Sequence, residues 1–66
     1  MLHIAPPPPA PYEIKEHRAN LGLTQEKFAM VLGVSRRAVE EWEAGRNPAP
    51  PMLTYALRWL ANPTED

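Results

Sequence analysis

Residues 24–45, TQEKFAMVLGVSRRAVEEWEAG, constrain the fold more tightly than any other stretch of the chain. Phe28 and Leu32 stand four apart and share one face of a first helix, while Val39 and Trp42 stand three apart on a second. Between them Gly33 supplies the left-handed backbone of a sharp turn, which a residue with a Cβ adopts only at a cost. Ala29, on the inner side of the first helix, is small enough to let the second cross closely over it. Thr24 and Ser35 precede the two periodic segments as N-caps, their hydroxyls accepting from free amides of the first turn. The spacing therefore predicts two short helices meeting at Gly33 rather than one continuous helix.

The flanks extend this all-α pattern. A helix is expected from Pro11 or Tyr12 to about Asn20, with Pro11 tolerated in the first turn and Gly22 as the stop. Ile14, Arg18 and Leu21 share its inner face. After Gly45, the run Arg46-Asn47-Pro48-Ala49-Pro50-Pro51 is a stiff loop, and a last helix is expected from Pro50 or Pro51 to near Asn62-Pro63. Leu53, Ala56, Leu57 and Leu60 form one apolar stripe on it, and Met52, Tyr55 and Trp59 form a second, offset around the axis. A helix apolar over so much of its circumference packs on two sides. The expected core is Ile14, Leu21, Leu23, Phe28, Ala29, Leu32, Val34, Val39, Trp42, Leu53, Leu57 and Leu60. Residues 1–10 carry four consecutive prolines, Pro6 to Pro9, and form an extended or disordered arm, either a solvated tail or a polyproline segment laid on a partner subunit or on DNA. A pairing strand at Met1 to Ile4 has no support. The chain thus divides into an arm at 1–10, a helical domain at 11–63 and an acidic tail at 64–66.

Sixty-six residues make one small domain that buries only about 60% of the surface its unfolded chain exposes, so a partner subunit would help it. The absence of cysteine removes disulfides and thiolate metal sites and fits a reducing cytosol. No apolar run approaches the roughly 20 residues of a membrane span, and the start lacks the pattern of a signal peptide, so a cytoplasmic location is expected. Catalysis has little to stand on. There is one serine, one aspartate at the last position and two histidines, and no triad assembles; no enzyme activity, cofactor or metal is expected. His17 has no histidine or cysteine at ligand spacing and reads as a solvated or phosphate-facing imidazole.

Glutamine after the cap, alanine four residues later, glycine four after that, then a hydrophobic residue, a cap and the closing Trp42-Glu43-Ala44-Gly45 together resemble the helix-turn-helix of the phage repressor and Cro (XRE-type) family. The resemblance covers about Tyr12 to Leu60 and implies a lambda-repressor-like domain of four main helices preceded by the proline-rich arm. It also implies that the second helix of the pair lies in a DNA major groove. On that basis Gln25, Ser35, Arg36, Arg37 and Glu41 occupy positions that face DNA, and Arg46 joins them. Glu41 would receive a cytosine amino group or orient Arg37. The resemblance further implies a buried ion pair between Arg18 and Glu43, against the alternative that Arg18 snorkels to solvent. Members of the family often continue with a fifth helix. Here the chain reads on only to Asp66, so a homodimer contact falls to Met52, Tyr55 and Trp59, unless the two aromatics merely pad the small core or lie half exposed.

Charge points both ways. The net charge of −1 and a pI near 6.1 argue against binding nucleic acid by bulk electrostatics. Yet Arg36 and Arg37 open the second helix of the pair and Glu40, Glu41 and Glu43 close it, the reverse of what the helix dipole favours, at roughly 0.3–1 kcal/mol per exposed terminal charge. Two arginines at such a position suit phosphates or the O6 and N7 of guanine. The leading expectation is a dimeric, sequence-specific regulator, a repressor on a palindromic double-stranded operator. The alternatives are the antitoxin of a toxin-antitoxin pair, gripping a toxin, and a protein-interaction module that has lost DNA binding.

Overall fold

A computed structural model describes residues 4–62 and contains four helices in this order: α1 (Pro11–Asn20), α2 (Gln25–Leu32), α3 (Arg36–Ala44) and α4 (Leu53–Ala61). No strand occurs among the described residues. The pairing strand considered at Met1 to Ile4, the stop at Pro63 and the acidic tail lie wholly or largely outside them.

The first three helices begin and end where their residues supply the missing backbone partners. At α1, Pro11 takes the first position, where its lack of an N–H costs nothing, and the Glu13 carboxylate accepts from the Ala10 amide at 2.7 Å. Thr24 caps α2 by accepting from the Lys27 amide, and Ser35 caps α3 by accepting from the Ala38 amide, both at 3.1 Å. The turn after α2 is closed by two bonds: the Gly33 amide donates to the Met30 carbonyl at 3.2 Å, and the Val34 amide to the Ala29 carbonyl at 3.0 Å. This double closure needs a left-handed residue, and Gly33 stands at φ 76°. Gly45 closes α3 in the same manner at φ 77°, with the Arg46 amide donating to the Glu41 carbonyl at 3.0 Å.

α3 packs against both α1 and α2, and α4 closes against α1. Ile14, Phe28, Ala29, Val39, Trp42, Leu53 and Leu57 are buried at the centre, with Leu21, Leu23, Leu32, Val34 and Leu60 partly buried around them. Fully burying a side chain the size of Phe28 is worth about 1.5–3 kcal/mol, so this small set carries much of the stability. Ala49 also enters the core, although it sits in the proline loop where no helical period marks it.

The beginning of α4 differs from expectation, at Leu53 rather than at Pro50 or Pro51. A residue that precedes proline is pushed out of the helical region, which holds Ala49 and Pro50 extended. The chain then enters the helix through tight bonds, Leu53 amide to Pro50 carbonyl at 2.9 Å and Thr54 amide to Pro51 carbonyl at 3.2 Å. The arm has no helix or strand over residues 4–10, but it is held: the Thr54 hydroxyl donates to the Pro7 carbonyl at 3.1 Å, and Pro6, Pro9 and Ala10 are half-buried. It lies over a crevice lined also by Glu13, His17, Leu57 and Arg58, so His17 is half-buried there rather than freely solvated.

Candidate nucleic-acid interface

The α2–turn–α3 unit is clamped from behind by one polar cluster. Arg18 on α1 donates from Nε to Glu43 Oε2 at 2.6 Å and from Nη2 to Glu43 Oε1 at 3.0 Å, a two-pronged pair, and from Nη1 to the Leu23 carbonyl at 2.9 Å. The Glu43 side chain is 4% exposed and that of Arg18 17%. Arg18 therefore does not snorkel. Hydrogen bonding to Glu43, assisted by the carboxylate's charge, holds its guanidinium above the ordinary arginine range despite the opposing effect of burial. A raised pKa contributes stability that is complete below the unfolded value and is lost only as pH rises through the folded one. For Arg18 that window lies at strongly alkaline pH.

From this anchor the cluster reaches the surface. Gln25, the first residue of α2, donates from Nε2 to Glu43 Oε1 at 3.1 Å, so the buried pair orients a side chain at the mouth of the helix-turn-helix. Gln25, Thr24 and Glu26 line a shallow depression of about 430 Å³ together with Arg18 and Arg36, and this joins the beginnings of α2 and α3. Ser35 is exposed beside it with its hydroxyl committed to the cap.

A second group forms further along α3. The Arg37 side chain, 86% exposed, stands 3.9 Å from Glu41, and Arg36 donates from Nε to Glu40 Oε2 at 2.9 Å. Glu41 turns mainly the other way, accepting at Oε1 from Arg46 Nε at 3.2 Å and from Asn47 Nδ2 at 3.1 Å. The predicted site residues thus fall into two neighbouring sets, Gln25 with Arg36, and Arg37 with Glu41 and Arg46. Asn47 belongs to the second set and was not anticipated; it sits past the helix end, where residue spacing says nothing, and only its adjacency to Arg46 could have suggested it.

The stripe on α4 is also on the outside. Met52 and Trp59 are 58% and 60% exposed, while Tyr55 is half-buried with the Arg58 guanidinium 6.0 Å from its ring centre. Among the described residues no group of three or more His, Cys, Asp or Glu side chains is placed to hold a metal, and no helix is long and apolar enough to cross a membrane.

Comparison with known proteins agrees with this geometry. No solved structure matches the chain. A protein of Methanothermobacter thermautotrophicus described as an uncharacterized HTH-type transcriptional regulator is 41% identical over 44 residues, 67% of this chain. The match spans 64% of that relative, a little under two thirds of its length. The family model described as Helix-turn-helix matches residues 14–54, from the buried Ile14 to the second residue of α4. With caps, turn and ion pair in place over that same stretch, the chain belongs to the helix-turn-helix DNA-binding family of the phage repressor and Cro type.

Proposed function

We propose that the protein is a transcriptional regulator, a repressor that occupies an inverted-repeat operator as a homodimer. The observation that carries this reading is the exposed beginning of α3, where Arg36 and Arg37 stand at a capped helix start beside Gln25. Arg36 and Arg37 reach base edges and phosphates, Glu41 lies along the same face, and Gln25, Ser35 and Arg46 fix the register on the backbone. The relative named as a transcriptional regulator supports the same role. One α3 reads only a few base pairs, so two copies are needed, with half-site centres roughly 34–36 Å apart along the duplex. Met52, Tyr55 and Trp59 supply the surface between the copies, since aromatic anchors dominate small interfaces.

Selection of bound duplexes from a random pool tests this directly, with an inverted repeat as the expected product. Arg36→Ala and Arg37→Ala should each lose about 1–3 kcal/mol per half-site on the selected duplex if the arginine is bidentate to guanine. Parental affinity in both variants would remove α3 from the groove. Sedimentation should show a dimer that Trp59→Ala weakens. A second reading, an interaction module without DNA binding, is favoured by the net charge of −1. It predicts no enrichment in the selection and no fall of affinity with salt.

A further inference from the structure

The arginines of the candidate DNA face are all engaged by carboxylates of α3 itself: Arg36 by Glu40, and both Arg37 and Arg46 by Glu41. At Glu41 the two sides of the pairs are held differently. Glu41 is 19% exposed and additionally fixed by Asn47, whereas the side chains of Arg37 and Arg46 are mostly in solvent. The carboxylate is a fixed post, and the arginines are the movable partners.

Helix stability does not explain the arrangement. Glu41 lies toward the negative end of the α3 dipole and Arg36 and Arg37 at its positive end, each on the unfavourable side; only Arg46, past the helix end, is favourably placed. In each i, i+4 pair the acid is C-terminal to the base, the weaker order. Another consequence of the placement is electrostatic. A phosphate that takes an arginine from Glu41 replaces one ion pair with another and leaves the freed carboxylate facing the DNA backbone. Since sequence-independent affinity rests on neutralising phosphates, the exchange withholds most of that affinity. A base edge is treated differently. Arg36, like Arg37 and Arg46, faces its carboxylate through Nε, so the terminal nitrogens stay available, and the acceptors O6 and N7 of guanine are neutral and are not repelled by the carboxylate as a phosphate is.

Resting on the DNA-binding reading above, we propose that Glu40 and Glu41 are built-in counter-ions of the recognition face. They suppress binding to arbitrary sequence, so that base contacts decide where the protein binds. Glu41 is then a specificity-determining residue through its charge, not through a hydrogen bond to a base.

The test uses the full chain, a mixed-sequence duplex of about two dozen base pairs and the duplex selected from the random pool, over a salt series. The slope of log affinity against log salt changes by about 0.9 per phosphate neutralised. On the mixed duplex, Glu41→Gln, which removes the charge that Arg46 contacts and Arg37 faces from further off, should steepen the slope by about one to two and raise low-salt affinity about tenfold. Discrimination between the two duplexes should fall correspondingly. Glu40→Gln should steepen the slope by about one, and Glu41→Asp, which keeps the charge, should stay near the parent. Circular dichroism confirms that each variant is folded; Gln retains an acceptor for Arg46 and Asn47. A parental slope in both Gln variants overturns the proposal. So does an effect of Glu41→Gln confined to one base pair of the selected duplex, which would make Glu41 a base reader. If the parent enriches no duplex from the pool, binding of the mixed duplex by the Gln variants supports the proposal, and failure of parent and variants alike on that duplex rejects the DNA-binding reading itself, and this inference with it.

Discussion

Glu41 and Glu43 stand two residues apart on α3 and meet opposite surroundings. Glu43 is turned into the domain, where it takes both prongs of Arg18 and the amide of Gln25. Glu41 lies at the edge, sharing one oxygen between Arg46 and Asn47 with Arg37 further off. Two positions along a helix rotate a side chain by about 200°, so one chemistry can meet the interior on one face and the solvent edge on the other. What separates the two is desolvation. A charge largely withdrawn from water cannot lose its partner cheaply, whereas a charge at the edge can exchange partners for water.

That contrast can be broken in three places. The largest effect belongs to Arg18→Met, which leaves Glu43 buried with only Gln25 and should cost about 3–5 kcal/mol. Domains hold only about 0.05–0.15 kcal/mol per residue, so the loss is a large share of the total and the melting temperature should fall steeply by circular dichroism. Replacing both partners, Arg18→Met with Glu43→Leu, should recover much of the loss, because no charge is then stranded. A melting temperature unchanged in Arg18→Met would place the pair in effective contact with water. An intermediate effect is expected for Ser35→Ala, about 1 kcal/mol, since it removes the cap of the helix that carries both carboxylates. Hydrogen exchange should show the loss at the first turn of α3 and not around Glu43. The smallest effect is that of Glu41→Gln on stability. Surface pairs contribute about 0–1 kcal/mol, and removing an acid from the negative end of a helix returns part of that, so its thermal unfolding should lie within about 1 kcal/mol of the parent.

The helices were legible because their boundaries are written in residue chemistry. Thr24, Ser35, Gly33 and Gly45 each have one physical use, and the structure puts each to that use. Legibility stops where contacts are made by residues without periodicity. Ala49 is buried because the proline loop folds inward, and a small residue between prolines carries no mark of it. The onset of α4 depends on how two consecutive prolines release the chain into a helix, which their presence alone leaves open. Composition makes the arm extended, but its contact with Thr54 joins residues 47 apart. At the recognition face the i, i+4 spacing correctly links Arg36 with Glu40. It overstates Arg37 with Glu41, because Arg46 and Asn47 approach the same carboxylate from beyond the helix end.

The turn at Gly33 bears on how such a protein changes over generations. Gly33, the bond from Val34 to Ala29 and the Ser35 cap hold the beginning of α3 through main-chain and hydroxyl contacts, and Val39 and Trp42 seat it in the core. Arg36 and Arg37 take part in none of this. On the proposed reading, in which those two side chains meet DNA, substitutions there would change binding preference without unfolding the domain. A lineage carrying this scaffold would then diversify its targets while the roles of Arg18, Gly33, Ser35 and Glu43 in the fold are left untouched, which would separate the evolution of address from the evolution of fold.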